Sequence, residues 1–171
     1  MRMHFWRCFP LLAVLFLPGL VMADTDWQPQ GSATAKWLGW IDIYDARLWV
    51  GPEVTRANLL ADDTPVKLEL CYHRALSPDD FVTAAESGLP KTLPTAQRLA
   101  VERLHARYQA VEAGDCYQLE HQPGQGLQLR LNDRTVFVND TPGFKAVYLG
   151  LWLGDSALST EVKHALLAPL K

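Results

Sequence analysis

From Val66 to Tyr72 apolar and polar residues alternate without a break: Val66, Leu68, Leu70 and Tyr72 fall on one side of an extended chain, Lys67, Glu69, Cys71 and His73 on the other. A period of two requires a strand with one buried and one wetted face, because apolar residues on a helix recur at three and four instead. Such a strand commits the chain to a sheet and to a second layer covering its apolar side.

The flanking sequence supplies both. Trp37 to Val50 is aromatic and β-branched, with Trp40, Ile41, Ile43, Tyr44 and Trp49, and reads as a strand ended by Gly51-Pro52. Cys116–His121, Leu127–Leu131 and Arg134–Val138 are three short strands joined by turns at Pro123-Gly124-Gln125-Gly126 and Asn132-Asp133, hence an antiparallel meander. Ser77-Pro78-Asp79-Asp80 opens a helix running to about Ser87, with a capping hydroxyl, Pro at the first helical position and acids at the positive end of the dipole. Pro90 and Pro94 separate it from an amphipathic helix over Ala96–Val111, with Leu104, Tyr108 and Val111 on one face and Gly114 as its stop. Pro142 opens a short helix through Tyr148, and Ser159 or Thr160 caps a last one, Glu161–Leu167, stopped by Pro169. Strands and helices come in blocks, without repeats or a second domain. The expected fold is therefore α+β, a layer of helices on one face of a large, mostly antiparallel sheet.

Residues 1–23 belong to a different class. Arg2, His4 and Arg7 make a positive n-region, Phe9–Val21 an apolar h-region, and Val21-Met22-Ala23 the small residues that a signal peptidase reads. The apolar run is broken by Pro10, Pro18 and Gly19 and is shorter than the ~20 residues that span a bilayer. A cleaved signal with its cut after Ala23 is expected in place of a membrane anchor, giving a periplasmic or secreted product with no integral membrane segment. Cys8 precedes the apolar run, so it is not the acylated first residue of a lipoprotein. Residues 24–36, rich in Gln, Thr, Ala, Ser and Gly, read as a flexible N-terminal arm or an edge segment, which leaves 37–171 as the domain.

Removing the signal takes away two arginines and no acid. The 16 Lys+Arg fall to 14 against an unchanged 19 Asp+Glu, and the net charge moves from −3 to −5. An acidic domain without a basic stretch excludes nucleic acid as a partner. Only Cys71 and Cys116 remain. An oxidising compartment allows them to pair, but two separately buried thiols are favoured because Cys71 sits in an apolar strand.

The usual catalytic patterns are missing. His73, His105, His121 and His164 include no pair at metal-ligand spacing, so neither a metal nor another cofactor is expected. Gly124-Gln125-Gly126 joins two strands and is a hairpin turn, not a phosphate loop. Asp62-Asp63 and Asp79-Asp80 are neighbours on a turn and a helix start, where capping and solvation account for them. Asn139-Asp140-Thr141 matches a glycosylation acceptor, weakened by Pro142 directly behind it. What stands out is the aromatic supply: Trp37, Trp40, Tyr44, Trp49, Tyr72, Tyr148 and Trp152. These either fill a core, the favoured reading, or line an apolar cleft with a few polar handles. Arg74 ends the apolar strand, where its guanidinium either reaches a ligand carboxylate or is simply solvated. The candidate ligand-binding residues are thus Arg74, Tyr72, Tyr44 and Trp40.

In order along the chain, these motifs resemble those of the bacterial exported chalcone isomerase-like proteins. The resemblance rests on Trp37-Leu38-Gly39-Trp40-Ile41-Asp42-Ile43-Tyr44-Asp45-Ala46-Arg47-Leu48-Trp49, on Leu70-Cys71-Tyr72-His73-Arg74, and on Val111 with Gly114-Asp115-Cys116-Tyr117-Gln118-Leu119 and Pro123-Gly124-Gln125-Gly126. Phe144, Tyr148, Gly150, Trp152-Leu153-Gly154, Ser159 and Leu166-Leu167 complete it, so that it spans residues 37 to about 167. It implies a large antiparallel sheet, helices on one face and a ligand cleft between them. Enzymes of the family close a flavanone ring with an Arg, a Thr, a Tyr and an Asn, whose cationic and hydroxyl groups stabilise the developing enolate. Here the Thr position falls on Gly39, the Tyr position on Phe81 and the Asn position near Ser87 or Gly88, and no Arg lies between Arg7 and Arg47. The catalytic set is therefore absent, and no catalytic residue is assigned.

Three functions follow from the resemblance and the residues together. The first is an exported domain without chalcone isomerase activity that binds a small apolar or carboxylate ligand, as the fatty-acid-binding branch of the family does. The second is an isomerase or intramolecular lyase using other cleft residues, among them Tyr44, His73 and Arg74. The third is an interaction module for an envelope protein, using the acidic face and the N-terminal arm.

Overall fold

A computed structural model describes residues 25–171; the expected signal, residues 1–23, lies outside the described residues. In chain order the elements are β1 (Gln28–Trp37), β2 (Ile41–Val50), β3 (Val66–Tyr72), α1 (Pro78–Gly88), α2 (Thr95–His105), β4 (Cys116–Gln122), β5 (Gly126–Leu131), β6 (Arg134–Asn139), α3 (Phe144–Leu153) and α4 (Thr160–Leu167). The six strands form one sheet in sequential order, each antiparallel to the next. In β3 every second residue is buried and the intervening ones are half-buried, as expected of a sheet covered on one face. That inner face carries Leu48, Leu68, Leu70, Tyr117, Leu119 and Leu129 into a core shared with Leu104, Phe144, Leu149 and Leu166 of the helices.

Five expectations change, each for a physical reason. The flexible N-terminal arm is instead the edge segment that the same composition allows: β1 pairs with β2 from Gln28↔Val50 to Trp37↔Ile41 at the edge of the sheet. Its side chains are largely exposed, as the polar composition requires of an edge strand, and backbone pairing supplies the order. Gly31 is needed there, because a Cβ would run into the carbonyls of Ala165 and Leu166 at the end of α4. The single strand read over Trp37–Val50 is a strand end, a corner and a second strand. Leu38 (φ 53°) and Gly39 (φ 78°) turn the chain left-handed, and the Trp40 amide donates back to the Trp37 carbonyl (3.3 Å).

The second helix stops at His105 instead of running to Val111. Val111 exchanges both backbone hydrogen bonds with Leu76 (3.0 Å each), which holds it extended. Gly114, expected as a helix stop, sits at φ 99° in the turn leading to β4. The helix expected to end at Tyr148 continues as α3 to Leu153, buried nearly all round; such a helix has no amphipathic stripe to mark its length.

Cys71 and Cys116 are also not separate buried thiols. They face each other in register across β3 and β4 and form a disulfide. Cys71 points outward, opposite to Leu70 and Tyr72, so its sulfur lies on the half-buried side of the sheet.

Candidate ligand-binding site

The register places the site. Tyr44 of β2 pairs with Tyr72 of β3, and Leu70 of β3 with Tyr117 of β4, so three phenols come together on the inner face near one end of the sheet. Opposite them lies α1, whose start is fixed by a capping box: Ser77 accepts from the Asp80 amide (3.3 Å), and the Asp80 carboxylate accepts from the Ser77 amide (2.8 Å). This start delivers Phe81 onto the phenols. Phe81 stacks on Tyr108 with centroids 4.9 Å apart and meets Tyr72 and Tyr117 edge-on at 5.3 Å each. From α3, Trp152 donates its indole N–H to the Tyr44 hydroxyl (3.0 Å).

Between sheet and helices remains an apolar cavity of about 180 Å3. Tyr44, Tyr72, Phe81, Tyr108, Tyr117 and Trp152 form its aromatic wall, Leu76, Ala84 and Leu158 also line it, and Asp80 is the single formal charge on it. An apolar cavity of ~150 Å3 holds a benzene molecule, whereas pockets for drug-sized ligands start near ~300 Å3. The space here suits one ring or a short chain.

The polar groups differ in how far they are engaged. Tyr117 donates to the Gln109 carbonyl (3.0 Å) and accepts from the Gln109 amide (2.8 Å), and Tyr108 is paired with Tyr148 (2.7 Å between hydroxyls). The Tyr44 oxygen accepts from Trp152, and its own proton has no acceptor among the described residues. Tyr72 is 5% exposed, and its hydroxyl makes no hydrogen bond among the described residues. Among the described residues, the buried polar side-chain atoms without partners are on His105, His121 and Arg130, and the Tyr72 hydroxyl is not one of them. Burial pushes all four cavity phenols above the usual phenol range, Tyr72 well above it, so they are neutral hydrogen-bond donors at physiological pH. At the rim, the Ser77 hydroxyl and amide hold the Asp80 carboxyl below its usual range, and Asp80 is ionised.

Two of the four candidate residues, Tyr44 and Tyr72, line the cavity. The other two do not. Trp40 is 73% exposed on the β1–β2 corner, next to the exposed Trp37 and Leu38, because the left-handed turn carries it off the sheet. Arg74 is exposed just beyond β3 and is not part of the lining, since the alternation that turns Tyr72 inward ends there. Of the remaining aromatics, Tyr148 is fully buried in the core, and Trp49 lies on the outer face beneath the Lys67 ammonium, 5.0 Å from its ring centroid. Phe81, Tyr108 and Tyr117 are wall residues that do not belong to the seven aromatics singled out by the sequence. Tyr117 was recoverable, because it shares the inward parity of Leu119 on β4; Tyr108 was not, because it lies past the true end of α2. Among the described residues no cluster of His, Cys, Asp and Glu is placed to hold a metal, and no helix is long and apolar enough to cross a membrane.

An antiparallel meander carrying helices over an aromatic cavity is an α+β architecture with a cleft between its two layers. The profile described as chalcone isomerase-like matches residues 19–168, and the chain belongs to the chalcone isomerase-like family. In fold it is similar to a fatty-acid binding protein of Arabidopsis thaliana, seen in a crystal structure, with a TM-score of 0.65 at 12% identity over 82% of this chain and 86% of that one. Identity that low makes the likeness one of fold. No curated protein matches the chain.

Proposed function

We propose that the protein is a non-catalytic binding protein for a small, mainly apolar ligand held in the aromatic cavity. The observation that carries this reading is the cavity itself, about 180 Å3 of apolar space walled by six aromatic side chains between sheet and helices. The fold shared with a protein that binds fatty acids supports it.

The family's ring closure needs donors aimed at a developing enolate. At the matching positions, Gly39 is exposed in a turn, Phe81 has no hydroxyl, the Ser87 hydroxyl donates to the Ala84 carbonyl of its own helix (2.7 Å), and Gly88 faces Leu151 and Leu158. Native mass spectrometry of protein purified from its own host should show a bound small molecule. Protein that is always empty and gains no mass with any small apolar compound contradicts the reading. Incubation with chalcones and related enones should give no turnover above the buffer rate, and turnover would restore the isomerase reading.

We also propose that the protein works outside the cytoplasm. The n-region, h-region and small-residue pattern of residues 1–23 supports export, and the Cys71–Cys116 disulfide suits an oxidising compartment. A mature N-terminus at Asp24, read by intact-mass measurement, is the expected result; an intact Met1 terminus in host-derived protein contradicts it.

A further inference from the structure

The cavity's polar chemistry is one-sided. None of its lining residues is Lys, Arg or His, and Arg74, the nearest cation to Tyr72 in sequence, stays outside. An ionised carboxylate leaving water for an apolar space needs a paired cation to offset its desolvation. Here it would meet instead the carboxylate of Asp80 at the rim. The groups on offer are hydroxyl protons, one on Tyr72 and one on Tyr44, whose oxygen accepts from Trp152; neither proton has an acceptor among the described residues. Both belong to cross-strand neighbours with ring centroids 5.8 Å apart.

We infer that the cavity selects an uncharged ligand, one ring or a short chain ending in a hydrogen-bond-accepting oxygen such as a carbonyl, which takes the Tyr72 hydroxyl proton. Asp80 acts as a specificity-determining residue that turns ionised carboxylates away. This rests on the binding reading above and narrows it: free fatty acids in their ionised form are poor ligands, and neutral carbonyl compounds of similar size are good ones.

The test is a set of calorimetric titrations of the protein at pH 7 with three probes of similar shape: acetophenone (neutral, with an acceptor), toluene (neutral, without one) and benzoate (ionised). Acetophenone should bind at least about tenfold more tightly than benzoate, and roughly fivefold more tightly than toluene, the size of one net hydrogen bond. Tyr72→Phe should bring the acetophenone-to-toluene ratio to near one. Asp80→Asn should raise benzoate affinity relative to acetophenone about threefold, the scale of one solvent-screened charge. Benzoate binding as tightly as acetophenone overturns the inference and leaves the binding reading standing. An unchanged ratio in Tyr72→Phe overturns the role given to that hydroxyl. Silence from all three probes overturns the inference, and the binding reading is then decided separately by whether host-purified protein carries a bound small molecule.

Discussion

Lys145 lies in α3 with its side chain fully buried, donating to the Ala61 carbonyl (2.6 Å) and to the carbonyl and hydroxyl of Thr64 (2.7 Å each). It closes the Leu59–Thr64 segment onto the helix and satisfies oxygens that the sheet does not reach. Lys145→Met keeps much of the volume but takes from the Thr64 carbonyl its ammonium donor, while the Ala61 carbonyl and the Thr64 hydroxyl keep their bonds to each other, and urea unfolding should show a loss of about 1–3 kcal/mol. Because Lys145 does not line the cavity, acetophenone binding to the folded variant should not change. Nothing local in the sequence marks Lys145 as buried, since its partners lie more than eighty positions away. The site shows the same split. Tyr44 and Tyr72 were legible because strand parity fixes which way a side chain faces, while Arg74 and Trp40 were misplaced because each lies just past a strand end, where parity stops applying.

At the scale of elements, what was legible had a local cause. The alternation of β3, the turns bounding β4 to β6 and the Ser77 and Ser159 caps are all decided within a few residues, and each stands where the sequence puts it. Elements decided by distant partners were misread. β1 is strand because β2 offers it a ladder, and α2 ends early because Leu76 captures Val111. The cap of α1 has a functional consequence, since this helix brings Phe81, Ala84 and Asp80 to the cavity. Ser77→Ala should cost about 1 kcal/mol of stability and should weaken acetophenone binding as the first turn frays. Lost stability with unchanged affinity would show that the cavity does not depend on that turn.

For the whole molecule, the buried titratable groups act together on stability. Burial holds His105 and His121 below the ordinary imidazole range and lowers the Lys145 ammonium from 10.5 to about 8. For each, the folded protein binds fewer protons than the unfolded chain, so stability rises with pH across its window, below 6.5 for the histidines and from about 8 to 10.5 for Lys145. The buried phenols reverse the sign: above pH 10 the unfolded chain loses protons that Tyr72, Tyr108 and Tyr148 keep, and stability falls. Urea midpoints should therefore be greatest at roughly pH 9 to 10; a steady fall from pH 7 upward would contradict this balance. The fold class was readable because block order and alternation are global patterns. The cavity was not, because a void between layers depends on how side chains of distant elements fail to fill it. The central claim is that this void is a binding site, and its most direct test is two-dimensional NMR of the labelled protein titrated with acetophenone. Saturable shifts centred on Tyr72, Phe81, Trp152 and Leu158 are expected, with Arg74 and Trp40 unmoved; shifts confined to the surface, or none at all, would contradict it.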